Sequence, residues 1–109
     1  MFVVWNKMIF QKENLMYKLY QFEADFNRFG ILHGQFILNE VDQEKLEQTY
    51  GHTLSFGKVL GKHSEIDMDL EREHIILITD NQEFLELGLK LDINFNFGYN
   101  PLHYCGLWY

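Results

Sequence analysis

Two stretches of the chain alternate apolar and polar residues position by position, and this pattern constrains the fold more than any other feature. The first stretch covers residues 20–26 and the second covers residues 65–71. Because successive side chains of a β-strand point to opposite faces of a sheet, strict alternation predicts a strand with one buried face. We therefore expect two half-buried strands, with Phe22 and Ile66 among the residues that face the core.

Three further segments complete a predicted antiparallel sheet of about five strands. Residues 27–30 supply turn residues before a strand at residues 31–38, in which Gly34 marks a bulge or a close approach of another backbone. Residues 52–60 have strand-like content, and the short apolar run at residues 74–78 predicts a more buried strand.

Two helices are predicted between and after these strands. Asp42 is a good N-cap for a helix that ends near Tyr50, and Asp80 with Glu83 has the spacing of a capping box at the start of the other. The buried stripe of this last helix would be Phe84, Leu87 and Leu91. The order of elements predicts a small α+β domain in which both helices cover one face of the sheet.

The length of 109 residues suits one domain. We expect residues 16–109 to form it, with an aromatic segment at the C-terminal end. Residues 1–15 would be an N-terminal extension that is disordered or loosely packed, and Met16 is an alternative to Met1 as the start of translation.

Charge and cysteine content exclude several classes of protein. Sixteen acidic against nine basic residues give a net charge of −7, which disfavours direct binding to nucleic acid phosphates. The sequence holds no run of 18 apolar residues that would predict a membrane span. The single cysteine, Cys105, excludes an internal disulfide and a thiolate zinc site, so we expect an intracellular, cytoplasmic protein.

An acidic ladder runs along the second alternating stretch. It consists of Glu65, Asp67, Asp69 and Glu71. Carboxylates at every second position of a strand lie roughly 6 to 7 Å apart on one face. Together with Glu23 and Asp25 they would form a negative stripe that resembles the charge repeat of a nucleic-acid backbone and suits a basic groove on a partner protein. The alternative is a solvated sheet face whose charges deter edge-to-edge association.

The turn before this strand is rich in glycine and cations. Its candidate ligand-binding residues are Lys58, Gly61, Lys62, His63 and Ser64. Exposed backbone N–H groups and two lysines could hold the phosphate of an anionic nucleotide, with Phe56 or Tyr99 as a stacking surface. The spacing is not that of a Walker P-loop. The alternative is that the glycines only satisfy a bulge and a tight turn.

The C-terminal aromatic residues have two interpretations. Tyr104 and Trp108 are either part of the core or anchors for a partner protein or a second copy of the chain. Cys105 lies near His103, but the sequence offers no third residue that would orient the two for nucleophilic catalysis. We therefore predict that the protein is not an enzyme. A nucleotide hydrolase that uses His63 and Glu65 is the alternative to this prediction.

We predict no metal and no cofactor. The five histidines do not fall in a metal-binding spacing, although a site built from His63, Glu65 and His74 could still assemble in three dimensions.

Several segments of the chain resemble motifs of a group of small uncharacterised bacteriophage proteins. Residues 56–65 read FGKVLGKHSE, and this motif carries the resemblance, together with residues 26–36, residues 79–84 and the Gly-Tyr-Asn-Pro of residues 98–101. The resemblance covers residues 16–104 and implies a viral origin and an interaction with host machinery. It implies no particular activity.

These observations lead to one preferred function and one alternative. We expect a non-catalytic protein that inhibits or modulates a host factor, including a defence factor, in the cytoplasm of a bacterial cell. Its acidic strand face would bind a basic surface of that factor. The alternative is a protein that sequesters an anionic nucleotide or signalling molecule at residues 57–65.

Overall fold

The computed structural model describes residues 16–62 and 64–108. The expectation of an N-terminal extension at residues 1–15 therefore lies outside the described residues. Strands and helices follow in the order β1 (Lys18–Asp25), β2 (Ile31–Leu38), α1 (Glu40–Thr49), β3 (Thr53–Gly57), β4 (Ile66–Asp69), β5 (Ile75–Thr79), α2 (Gln82–Lys90) and β6 (Phe97–Gly98). Short 3-10 turns occupy Asn27–Phe29, Arg72–His74, Pro101–Tyr104 and Gly106–Trp108.

The strands form two antiparallel sheets. The larger sheet has the order β5-β1-β2-β6, and the smaller one contains β3 and β4. The predicted α+β class is confirmed, but the sheet of about five strands is divided into four and two. Alternation along a strand shows that one face is buried and does not show which strand lies beside it.

The two sheets share one core. Phe22 and Phe36 of the larger sheet pack in the same cluster as Leu54 and Ile66 of the smaller sheet. All four side chains are at most 5% exposed. This packing explains why the smaller sheet is separate, because its apolar face lies over the apolar face of the larger sheet and does not extend it.

The helices lie on opposite faces of the larger sheet, which corrects the prediction that both cover one face. Leu46 of α1 packs in the cluster that contains Phe22, whereas Leu85 of α2 packs with Leu19 and Phe95. Leu19 and Phe22 are three residues apart on β1, so their side chains point to opposite faces.

The predicted buried stripe of α2 is wrong. Phe84, Leu87 and Leu91 are 52%, 56% and 64% exposed, and the buried residues of this helix are Leu85 and Gly88. Seven-residue spacing identifies one apolar side of a helix, but here a second side, bearing Leu85 and Gly88, is the one that packs on the sheet.

The predicted burial of residues 74–78 is also wrong. Ile76, Leu77 and Ile78 are between 43% and 55% exposed. Among the described residues β5 pairs only with β1, and the pairing is irregular near Tyr20, as expected of a bulge that blunts a sheet edge.

The C-terminal segment packs on the larger sheet at Gly34. A methyl group on Gly34 would overlap the backbone of Tyr99, whose N–H donates a hydrogen bond to the carbonyl oxygen of His33 at 3.2 Å. The sequence predicts either a bulge or a close approach at Gly34, and the structure shows a close approach.

We predict that Gly34→Ala lowers the free energy of unfolding by about 1 to 3 kcal/mol, because the added methyl group overpacks the contact with Tyr99. Urea denaturation measures the change. Gly61→Ala is the control, since nothing lies within 4 Å of its added methyl group, and it should change stability by no more than about 0.5 kcal/mol. Equal effects of the two variants would contradict the close approach.

A matched pair of substitutions tests which side of α2 is buried. Leu85→Ala should destabilise the protein by about 2 to 5 kcal/mol, because Leu85 is fully buried. Leu87→Ala removes the same atoms from an exposed position and should change stability by no more than about 0.5 kcal/mol. Thermal or urea unfolding of both variants would show the reverse order if the predicted stripe were the buried one.

Candidate functional site

The acidic ladder lies on the outer face of the smaller sheet. Ile66 and Leu70 are buried in the core, and the carboxylates that alternate with them are exposed. The exposed residues are Glu65, Asp67, Asp69 and Glu71. The alternation therefore places all members of the ladder on one side of the chain, as the sequence predicts.

Two hydroxyl residues of β3 share this face. Ser55 lies opposite Asp67 and Thr53 lies opposite Asp69 in the antiparallel register. The sequence analysis did not identify these two residues as part of the site. Their alternation with Leu54 shows that they point outward, but only the strand pairing shows that they lie beside the ladder.

Two members of the ladder have partners within the chain. Thr53 Oγ1 donates a hydrogen bond to Asp69 Oδ1 at 2.6 Å. The Glu71 carboxylate accepts the backbone N–H of His74, and His74 Nδ1 accepts the backbone N–H of Glu71 at 3.0 Å. Within the described residues, neither Glu65 nor Asp67 has an ion-pair or hydrogen-bond partner, so their carboxylates are solvated.

The cation nearest to the ladder in sequence, Arg72, points toward α1. Its guanidinium donates to both carboxylate oxygens of Glu47, at 2.8 and 3.2 Å, and lies 4.4 Å from the centre of the Tyr50 ring. The hydrogen bond from Arg72 lowers the pKa of Glu47 below its ordinary value. Arg72 is therefore engaged by α1, and its charge is directed away from Asp67 and Asp69.

Glu23 and Asp25 do not join the ladder, which corrects the prediction of one continuous stripe. They lie on β1 of the larger sheet, on the face opposite to the buried Phe22. The shared core therefore separates them from β4. Asp25 Oδ1 accepts the backbone N–H of Asn27 at 2.7 Å, and Glu23 lines a shallow cavity of about 580 Å³ together with residues such as Phe97.

The glycine-rich turn is open to solvent. Lys58, Gly61 and Lys62 are exposed, whereas the backbone N–H of Ser64 donates to the carbonyl oxygen of Gly61 at 3.1 Å. His63 lies outside the described residues. None of the described residues of the turn lines the cavity beside Glu23 or the cavity beside Trp108.

The aromatic surface proposed for this turn is occupied. The Phe56 ring is 5% exposed and packs against the rings of Phe22, Tyr99 and Tyr104, with centroid distances of 6.0, 5.8 and 4.5 Å. A nucleotide base would have to displace one of these contacts in order to stack on Phe56. The nucleotide site at the turn stays a prediction that depends on its lysines.

The two predicted aromatic anchors are held by the domain. The ring of Tyr104 packs on Phe56, and the indole N–H of Trp108 donates to Thr49 Oγ1 at 2.9 Å. Burial raises the pKa of Tyr50, which follows Thr49 in the sequence, and the charge of Glu47 raises it further. Both anchors therefore help to build the domain, and their contact with a partner stays a prediction.

Within residues 16–62 and 64–108, no group of three or more histidine, cysteine or acidic side chains is arranged to hold a metal ion. Cys105 is 1% exposed, and its backbone bridges to Leu54 of β3. In the part of the chain that the structure describes, no helix is both long and apolar enough to cross a bilayer. The metal site that would use His63 includes a residue outside the described ranges.

Comparison with known proteins gives no relative for this arrangement. No protein family, no curated protein and no solved structure matches the chain.

The pair formed by Glu47 and Arg72 predicts a pH-dependent contribution to stability. Because the pKa of Glu47 is lowered in the folded protein, this contribution is present above the ordinary value of 4.5 and is lost as the pH falls through the folded value. The pair is exposed and screened by solvent, so Glu47→Gln should lower the free energy of unfolding only slightly at neutral pH and not at all in strong acid. Urea denaturation across this pH range measures the difference, and a cost that does not change with pH would contradict the assignment.

Proposed function

We propose that this protein is a non-catalytic binding protein whose acidic strand binds a basic surface of a protein partner. The observation that supports this proposal is the shared exposed face of Glu65, Asp67 and Asp69, to which no lysine or arginine among the described residues is paired. The net charge of −7 extends the negative electrostatic potential of these carboxylates beyond the strand.

The spacing of the ladder suggests which basic surface it fits. Side chains at alternate positions of a strand lie roughly 6 to 7 Å apart, close to the separation of successive phosphates along one strand of a nucleic acid. A channel or groove that holds nucleic acid carries cations at such intervals. We propose that the partner is a nucleic-acid-binding host factor of a bacterial cell and that a phage-encoded chain of this kind inhibits or modulates it.

The binding would be governed by electrostatic steering and by salt. Asp67 lies near the middle of β4 and is solvated, so its charge is available to a cationic partner. Asp69 keeps a hydrogen bond from Thr53 and presents its second carboxylate oxygen. Such contacts raise the rate of association at low salt and lose strength as salt screens them.

Charge reversal of the ladder tests the proposal. The full chain is immobilised and exposed to a bacterial lysate, and a protein that it retains at low salt is identified and purified. The double variant Asp67→Lys/Asp69→Lys should bind the purified protein at least about tenfold more weakly and with a flatter salt dependence, because two attractive charges become repulsive. Double-stranded DNA should compete with the wild-type chain for this partner.

The matched control is Glu44→Lys/Glu48→Lys. It changes the net charge by the same amount at exposed positions of α1, which carry no ion pair within the described residues. Circular dichroism and urea denaturation show whether each variant folds. Equal binding by the ladder variant and the wild type, or equal losses in the two double variants, would overturn the proposal.

Self-association stays a prediction. Several of the exposed apolar side chains lie on β5 and α2, including Leu77 and Leu87, whereas the predicted anchors Tyr104 and Trp108 are half-buried. Native mass spectrometry of the full chain over a range of concentrations gives its oligomeric state directly.

A further inference from the structure

A cavity of about 440 Å³ opens between α1, the end of β2 and the C-terminal segment. Its volume falls within the range of about 300 to 1,000 Å³ that is typical of small-molecule sites. The residues that determine its chemistry are Asp42, Lys45, Asn96, Asn100, His103 and Trp108. None of them belongs to the acidic ladder or to the glycine-rich turn.

Two asparagines of this cavity have fixed orientations. Asn96 Oδ1 accepts the backbone N–H of Ile37 at 2.9 Å, and Asn100 Oδ1 accepts the backbone N–H of Leu102 at 3.0 Å. Because a backbone N–H can only donate, each contact identifies the amide oxygen and leaves the amide NH₂ as a donor. Within the described residues, no hydrogen bond uses either NH₂ group.

The side chains of Lys45 and His103 add further hydrogen-bond donors that suit an anion. Lys45 contributes an ammonium group and His103 an exposed imidazole, against the single carboxylate of Asp42. The ion pair between Lys45 Nζ and Asp42 Oδ1 is long, at 3.8 Å, so it leaves the ammonium able to bind a closer acceptor. With one ammonium and one carboxylate the cavity carries no net charge, in a chain whose net charge is −7.

Trp108 gives the cavity an aromatic wall. Its indole N–H donates to Thr49 Oγ1 at 2.9 Å, and Thr49 Oγ1 donates to the carbonyl oxygen of Lys45 at 2.6 Å. The Lys45 ammonium lies 5.3 Å from the centre of the ring. The two hydrogen bonds link the C-terminal end of the chain to α1 and hold the ring beside the cationic group.

We propose that this cavity binds a small organic anion that carries a planar ring, with the anionic group toward Lys45 and His103 and the ring toward Trp108. Lys45 supplies a charge-assisted hydrogen bond, and the amide of Asn100 supplies a second donor. The class includes nucleoside monophosphates and aromatic carboxylates, which share an anion and a flat apolar group. The site is independent of the acidic ladder, so either proposal can fail without the other.

Titration of the full chain tests this proposal. The probes are adenosine 5′-monophosphate, benzoate, adenosine and inorganic phosphate, and the readout is tryptophan fluorescence in a Trp5→Phe background, in which Trp108 is the remaining tryptophan. At least one of the two ring-bearing anions should change the fluorescence saturably and bind more tightly than phosphate or adenosine. The response to each anion distinguishes a phosphate source from a carboxylate source.

Lys45→Gln should weaken this binding by roughly tenfold, the change produced by loss of a charge-assisted hydrogen bond. Lys90→Gln is the matched control, since it also removes one charge, from an exposed position at the end of α2 that does not line the cavity, and it should leave the affinity unchanged. Circular dichroism confirms that each variant folds.

Three results would overturn the proposal. The first is no saturable binding of either ring-bearing anion, and the second is phosphate binding as tightly as both of them. The third is an affinity that Lys45→Gln leaves unchanged, or that Lys90→Gln lowers by as much as Lys45→Gln does.

Discussion

The packing of the two sheets across an aromatic core is the interaction on which the rest of the structure depends. The rings of Phe22 and Phe56 stack with a centroid distance of 6.0 Å and join the larger sheet to the smaller one. Tyr99 and Tyr104 then close around Phe56 from the C-terminal segment. Offset and tilted aromatic contacts add to the free energy gained from burying their area, which suits a domain of limited size.

Both candidate sites are consequences of this packing. The smaller sheet buries Ile66 and Leu70, so the carboxylates between them are directed to solvent. The C-terminal segment lies against Gly34 and continues to Trp108, which brings donors from distant parts of the sequence around one cavity. The acidic strand would not have a single outward face, and the cavity would lack a wall, if the sheets did not pack in this way.

The same arrangement leaves apolar side chains uncovered. Large contiguous apolar areas are uncommon on the surfaces of monomeric proteins. Here Ile76 and Leu77 of β5 and Leu87 of α2, the next helix along the chain, are each about half exposed. The core clusters are complete without them, because Leu85 and Phe95 already cover Leu19 on that face of the larger sheet. The apolar composition of α2 therefore exceeds what its packing on the sheet requires.

The sequence alone determined the alternation of the strands, because alternation depends on neighbours in the chain. The predicted caps Asp42 and Asp80 are wrong, since the helices are capped by Asn39 and Asn81. The sequence predicted the α+β class, the outward direction of Asp67 and Asp69, and a bulge or a close backbone approach at Gly34. The tertiary structure alone decided which strands pair, which side of α2 is buried and that Glu23 lies on another sheet. It also decided that Lys45, Asn96 and Trp108 meet around one cavity. These features depend on contacts between residues far apart in sequence, and a periodic pattern records that a side chain is buried without recording what covers it.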